Sequence, residues 1–277
     1  MPTDRGSPGV GADQRVAIWS VNSDQPIMSW TIPSPALDIS MDADGSQVAV
    51  AAAGCAWVYA TNSGETRAVL VPDKEKKSAV TALAFTRSGG TLVAGNSNGT
   101  VQAWRSHNWD GVSVLKSLRG TGAITRIQFP LNGDAAFLAS PGRLSWWDVA
   151  TDVHRPIVLD DGSGEVSDFA VSADGRLVAV GTSSGALLLV DVASGAGVRQ
   201  TAIPGSIAAC DIAPDGATIV VSGSDGQLRE WTSDGELHAA GLPVDRVTSI
   251  RFVSAAANLL TAGGDGMVHF WVGPADA

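Results

Sequence analysis

Cysteine is nearly absent. Two residues, Cys55 and Cys210, in 277 are too few for a disulfide framework or a cysteine-ligated zinc. Lysine is as scarce, with four residues, three of them at Lys74, Lys76 and Lys77. Net charge is −10 and the isoelectric point about 4.7, which argues against a phosphate-backbone binder, since that work needs clustered Lys and Arg. Aromatic residues make up 6% and charged residues 17%, so Ser, Thr, Asn, Gly and Asp must supply most of the polar surface. No apolar run approaches the roughly 18 residues of a membrane helix. Residues 1–14 have no apolar core of the kind a signal peptide carries. These features predict a soluble, cytoplasmic chain without membrane contact.

What is present is apolar material and turns. Hydrophobic residues reach 44%, enough for a packed core, and 32 glycines and 13 prolines punctuate the chain. Seven segments repeat one pattern: RVAIW (15–19), CAWVY (55–59), TVQAW (100–104), RLSWW (143–147), ALLLV (186–190), QLREW (227–231) and MVHFW (267–271). Their last residues are Trp19, Tyr59, Trp104, Trp147, Val190, Trp231 and Trp271, spaced by 40, 45, 43, 43, 41 and 40 residues. Five residues before each stands Gln14, Gly54, Gly99, Gly142, Gly185, Gly226 or Gly266. Six glycines in seven registers predict a tight hairpin whose turn residue takes a positive φ.

A second motif precedes the last six of these segments, with apolar residues at positions one, four and six: residues 36–41, 80–85, 124–129, 166–171, 207–212 and 247–252. A turn such as Asp44-Gly45, Asp174-Gly175 or Asp215-Gly216 follows, then another apolar strand. A polar-flanked fourth strand follows most of the Trp-type segments. Helical periodicity is nowhere sustained. The pattern predicts an all-β chain of repeated four-stranded antiparallel sheets.

A unit of 40–45 residues ending in Trp, with an Asp-Gly turn before the Trp strand, resembles the WD40 repeat over residues of about 8 to 272. Among the seven Trp-type segments Trp147-Asp148 is the one literal Trp-Asp pair, Trp109-Asp110 lying in a loop, and no repeat carries the family's Gly-His dipeptide. In that family a turn Asp, a His, a Ser or Thr and the Trp share a hydrogen-bonded network. Here Asp13, Asp225 and Asp265 keep the Asp position without the His, so they are expected to cap their own turns. The resemblance implies a β-propeller. The strand count favours six closed blades plus a surplus N-terminal strand, with residues 26–31 completing the sheet of 247–272. The alternative is a seven-bladed ring with an incomplete first blade. The expected organisation is a flexible segment 1–14, one propeller domain 15–272 and a tail 273–277.

Two G-x-S-x-G matches, Gly95 to Gly99 and Gly181 to Gly185, fall in the same hairpin of two repeats, so they read as turn geometry and not as nucleophile elbows. Asp42-Ala43-Asp44-Gly45 lacks the distal oxygen ligands of a calcium loop and reads as a turn. The histidines, His107, His154, His238 and His269, lie in different repeats without metal-ligand spacing. No phosphate-binding glycine loop occurs. Trp109 lies in a loop, where an aromatic residue either packs or anchors an interface.

Charged residues at positions three and five of the innermost strands stand opposite the apolar set. Asp38, Arg126, Gln128, Asp168, Asp211 and Arg251 are therefore candidates for partner contact at a channel mouth. The competing reading is mutual pairing, Arg126 with Asp168 and Asp211 with Arg251. No catalytic residue, metal site or cofactor is nominated, and Cys210 falls on the apolar side of its strand as an inert thiol. The expected function is a non-catalytic scaffold binding proteins or peptides, with no nucleic acid. The bias of 14 Arg over 4 Lys, with heavy Ala, Gly, Val and Asp use, suggests a GC-rich genome, and a bacterial origin would make the chain a partner-binding module of a larger signalling protein. The alternative is a propeller hydrolase acting at the channel mouth.

Overall fold

Each copy of the repeat folds as one antiparallel sheet. The computed structural model describes residues 7–10, 14–20, 23, 25–72, 78–115, 122–133, 135–149, 151, 153–157, 164–195, 197–234, 237–243, 246–253 and 258–272, and no helix occurs among them. The lysine loop 73–77, Asp13 and the Ala255–Ala257 turn fall outside the described residues. The chain divides into two compact units, Met1–Phe129 and Pro130–Ala277.

The first unit opens with β1 (Ser7–Val10), β2 (Arg15–Trp19) and β3 (Pro26–Thr31) in one sheet. A four-stranded sheet follows, β4 (Ala36–Met41), β5 (Gln47–Ala52), β6 (Cys55–Ala60) and β7 (Thr66–Leu70). The next comprises β8 (Val80–Phe85), β9 (Thr91–Asn96), β10 (Val101–Arg105) and β11 (Gly111–Leu115). The unit closes on β12 (Arg126–Gln128). The second unit holds β13 (Ala135–Ser140), β14 (Arg143–Asp148) and β15 (Val153–Ile157). Two four-stranded sheets follow: β16 (Val166–Val171), β17 (Leu177–Thr182), β18 (Ala186–Asp191) and β19 (Gly197–Ala202), then β20 (Ile207–Ile212), β21 (Thr218–Gly223), β22 (Gln227–Thr232) and β23 (Leu237–Pro243). β24 (Val247–Phe252), β25 (Leu259–Gly263) and β26 (Val268–Trp271) form the last sheet. Among the described residues there are seven sheets.

Five of the six expected innermost strands begin and end where the apolar pattern places them. The sixth, expected at 124–129, is cut to Arg126–Gln128. Ile124 is held outside the strand, its N–H donating to Asn96 O at 3.1 Å and its carbonyl accepting Thr81 Oγ1 at 2.6 Å. Pro130, just beyond, has no N–H to extend a ladder.

The N-terminal pairing differs from the expected clasp. Residues 26–31 lie against residues 15–19, with Arg15 opposite Thr31 and Val16 opposite Trp30. The short connection makes this local hairpin cheap in loop entropy. Ser7–Val10 pairs the other edge of β2, with Val10 opposite Val16. The strand counted as surplus is thus the centre of a three-stranded sheet, and a strand lies inside the segment 1–14 expected as a flexible lead-in.

Sheets within each unit pack face to face through the alternating apolar side chains. In the first unit Val16 and Ile32 meet Val48, Val50 and Tyr59, and Val58 and Leu70 meet Leu83, Phe85 and Trp104. In the second unit Phe137 and Leu144 meet Phe169, Val178 and Val190, and Leu187 and Leu189 meet Ile207, Ile219 and Trp231. Trp109 joins the set around Leu83, Phe85 and Trp104, edge-on to Phe85 at 6.4 Å between ring centres, so it is a packing residue. The six register glycines all have φ between 68° and 87°, and Gln14 takes the same conformation at 61°.

Candidate functional site

An innermost strand pairs with its own sheet along one edge only. Backbone N–H groups on its other edge need acceptors, because an unpaired buried donor is costly. The candidate carboxylates supply them. In the first unit Asp38 Oδ2 accepts the N–H of Leu83 at 2.7 Å, while its Oδ1 accepts the N–H of Ile39 at 2.8 Å. Ser40 Oγ accepts the N–H of Phe85 at 3.0 Å. In the second unit Asp168 Oδ2 accepts the N–H of Cys210 at 2.9 Å, and Asp211 Oδ2 accepts that of Phe252 at 2.8 Å. The geometry follows a rule. Position three of one innermost strand serves position four of the next, and position five serves position six.

Asp168 and Asp211 are buried. Charge-assisted bonds of this kind are worth roughly 1.5–3 kcal/mol each. Arg251 is exposed, and its Nη1 donates to the carbonyl of Ile250 at 2.8 Å. Arg126 and Gln128 are half-buried on β12, and Gln128 Oε1 meets no hydrogen-bond donor among the described residues.

The two G-x-S-x-G segments are repeat hardware. A Cβ on Gly95 would stand 2.4 Å from Ile124, and one on Gly181 would stand 2.4 Å from Ile207. The glycines let the next innermost strand approach the sheet. Ser97 Oγ accepts the N–H of Ala79 at 3.0 Å, and Ser183 Oγ accepts that of Glu165 at 3.1 Å. Ser224 Oγ does the same for Ser206 at 3.1 Å, outside any G-x-S-x-G match. Each serine thus pins the entry to its own sheet's innermost strand.

The remaining candidates are also engaged locally. Asp42 Oδ1 accepts the N–H of Gln47 at 3.0 Å and its Oδ2 the hydroxyl of Ser46 at 2.8 Å, closing a turn. Asp225 Oδ1 accepts the N–H of Gln227 at 3.2 Å, and Asp265 Oδ1 that of Met267 at 3.0 Å, as turn caps. Asp225 also binds the guanidinium of Arg229 through both oxygens, which holds its carboxyl below the ordinary aspartate value and raises Arg229. Asp265 is lowered in the same direction, chiefly by its 2.6 Å contact with His269 Nε2. His107 and His154 are exposed. Cys210 is fully buried, its Sγ 3.9 Å from Ala179 O.

Among the Trp-strand residues, Trp104, Trp147 and Trp231 are buried. Trp271 Nε1 donates to Thr261 Oγ1 at 2.9 Å, among the described residues the one place where the family's Trp-to-Ser/Thr link is made. At the equivalent position the other sheets carry Gly9, Val50, Ala94, Leu138, Val180 and Val221.

The family model described as "WD domain, G-beta repeat" matches residues 69–105 and 198–232. Eukaryotic translation initiation factor 3 subunit I of Lodderomyces elongisporus is 28% identical over 152 residues, 47% of this chain and 43% of the relative. Cilia- and flagella-associated protein 52 of Sus scrofa is 21% identical over 271 residues, 95% of this chain and 43% of the relative. The chain therefore spans less than half the length of these curated relatives. Among solved structures, the RRP9 WD40 repeats superpose with a TM-score of 0.82 at 15% identity, covering 95% of this chain and 85% of the other. A chain of the mitotic checkpoint complex gives 0.74 at 18% identity, covering 86% and 73%. Among the described residues no helix is long and apolar enough to cross a membrane. The chain carries WD40 repeats, and its fold is the WD40-type β-propeller.

Proposed function

We propose that this chain is a non-catalytic platform on which other proteins assemble. One observation carries the reading. The side chains best suited to chemistry, Asp38, Asp168, Asp211, Ser97 and Ser183, each accept a backbone N–H that the fold needs satisfied. A carboxylate fixed in that role is a poor general acid, which needs a proton to give. Of the six nominated residues, Arg251 is the exposed one and the best placed to meet a partner. The similarity to a subunit of a translation initiation factor, and the likeness in fold to a chain of the mitotic checkpoint complex, support the same reading. Net charge of −10 favours protein over nucleic-acid partners.

The test has two arms. Tagged chain is cross-linked in its native cells and its partners are quantified by mass spectrometry against an unrelated propeller. Purified chain is also assayed on ester, lactone and glycoside panels, with and without divalent metal. Specific, stoichiometric partners and no turnover are expected. Turnover that Asp168→Asn removes without unfolding the chain would overturn the reading in favour of a hydrolase.

A further inference from the structure

We propose that a groove in the second unit is a receptor for an arginine side chain presented by an extended segment of a partner protein. Its biological meaning rests on the platform reading, but the binding itself does not. The groove is open to solvent on one side and has a volume of about 390 Å³, within the range of small-ligand sites. Its lining includes the apolar residues Pro130, Phe137 and Trp146, of which the indole is the partly exposed one, and the acidic residues Asp148 and Asp174. No Lys or Arg is among its lining residues.

The turn beside the groove differs from that of three other sheets. In three other sheets the first turn begins with Asp42, Thr86 or Ser172. The side-chain oxygen of each accepts the N–H five residues on, from Gln47, Thr91 or Leu177, at 3.0–3.1 Å. Pro130 stands at that position in this sheet and, like Ala213 and Val253 in the last two, has no such oxygen. Its turn leans instead on the next sheet, with Asn132 N–H donating to Ala173 O at 2.7 Å and the proline ring resting on Gly175. Trp146 occupies the register that Val58, Ala103 and Leu189 fill as buried residues in three other sheets and that Glu230 and the exposed Phe270 hold in the last two. The larger indole stays half-buried at the groove.

The chemistry selects a guanidinium. The Trp146 ring already attracts one, since Arg155 Cζ lies 5.4 Å from its centroid. Asp148 is oriented by the N–H of Thr151, which donates to Oδ1 at 3.1 Å. Asp174 is fixed by Ser172 Oγ at 2.7 Å and Arg176 N–H at 3.0 Å, and the serine bond chiefly holds its carboxyl low and ionised. Arg176 Nε is 3.7 Å from Asp174 Oδ2 on a largely exposed side chain, a weak pair that an incoming, better desolvated cation displaces. Leu131 and Val153, both exposed beside the groove, offer contacts to apolar residues flanking the arginine.

The probes are a capped pentapeptide with one central arginine between leucines and its uncharged citrulline twin. Binding is read from the indole N–H signal of Trp146 in ¹⁵N-labelled protein, assigned with Trp146→Phe. The arginine peptide is expected to shift that signal saturably, with affinity falling as salt is raised. The citrulline twin, or the Asp148→Asn/Asp174→Asn variant, should bind roughly tenfold or more weakly. Both substitutions keep an acceptor oxygen for the local turn, and the remaining amide spectrum reports that the variant is folded. No shift at Trp146 up to about 10 mM peptide, or equal binding of the citrulline twin, overturns the proposal. Because the probe is synthetic, that failure is separate from any failure to find native partners.

Discussion

Asp168 Oδ2 accepts the backbone N–H of Cys210 at 2.9 Å, so a buried carboxylate of one sheet finishes the open edge of the next sheet's innermost strand. Asp38 does the same for Leu83 in the first unit. These are residues of different sheets meeting through backbone, which leaves the partner's side chain free to vary. Leu83 and Cys210 share little but their position.

Replacing Asp168 by Ala strands the Cys210 N–H in a buried site. A loss of about 2–3 kcal/mol in unfolding free energy is expected, measured by urea denaturation at neutral pH. Asp168→Asn retains an oxygen acceptor and should lose less than half of that. Equal stability of the alanine variant and the parent would show that the bond is dispensable.

Gly181→Ala puts a methyl 2.4 Å from Ile207 Cγ2, against a fully buried neighbour. Overpacking of this kind costs about 1–3 kcal/mol. Ser183→Ala removes one turn bond and should cost about 1 kcal/mol. Ser183 should also resist a fluorophosphonate probe. Covalent labelling at Ser183 would mean that its hydroxyl is a nucleophile after all.

Much of this was readable from residues. The innermost strands follow from apolar positions one, four and six, and the hairpins from six glycines at one offset. The acceptor role of Asp38, Asp168 and Asp211 was not, because periodicity places a side chain on a face but does not show which backbone group lies opposite. Strand pairing at the N-terminus was also hidden. The segment 26–31 reads equally well as a partner for 15–19 or for 267–272. The groove beside Trp146 is not legible in the sequence for a different reason. Its lining comes from two sheets, Trp146 and Asp148 from one and Asp174 and Gly175 from the next, and periodicity within a repeat does not show which turns meet.

Val268 and Leu228 hold the same register, three residues before Trp271 and Trp231, yet their surroundings differ. Leu228 is 4% exposed and Val268 is 62% exposed. Leu228→Ala should therefore cost about 2–5 kcal/mol, while Val268→Ala should stay within about 0.5 kcal/mol. Denaturant midpoints of the two variants check this directly. A large loss at Val268 would show that this face is covered in solution.

The turn carboxylates make stability depend on acid. Asp225, Asp265 and Asp174 all have folded-state values below the ordinary aspartate value of about 3.9, held there first by Arg229, His269 and Ser172 respectively. Between the unfolded and folded values the unfolded chain binds more protons, so stability rises with pH there. The contribution is complete above about pH 4–5 and is lost as pH falls through the lowered folded values. Asp225→Asn keeps an oxygen for the Gln227 N–H but has no charge to lose. Its stability deficit relative to the parent should be present at pH 7, shrink as pH falls below about 4, and vanish once Asp225 is protonated in both states. Urea midpoints at several pH values between 7 and about 2.5 measure the difference. A deficit that stays constant across that range would mean that the Asp225–Arg229 pair adds nothing beyond the neutral turn bond.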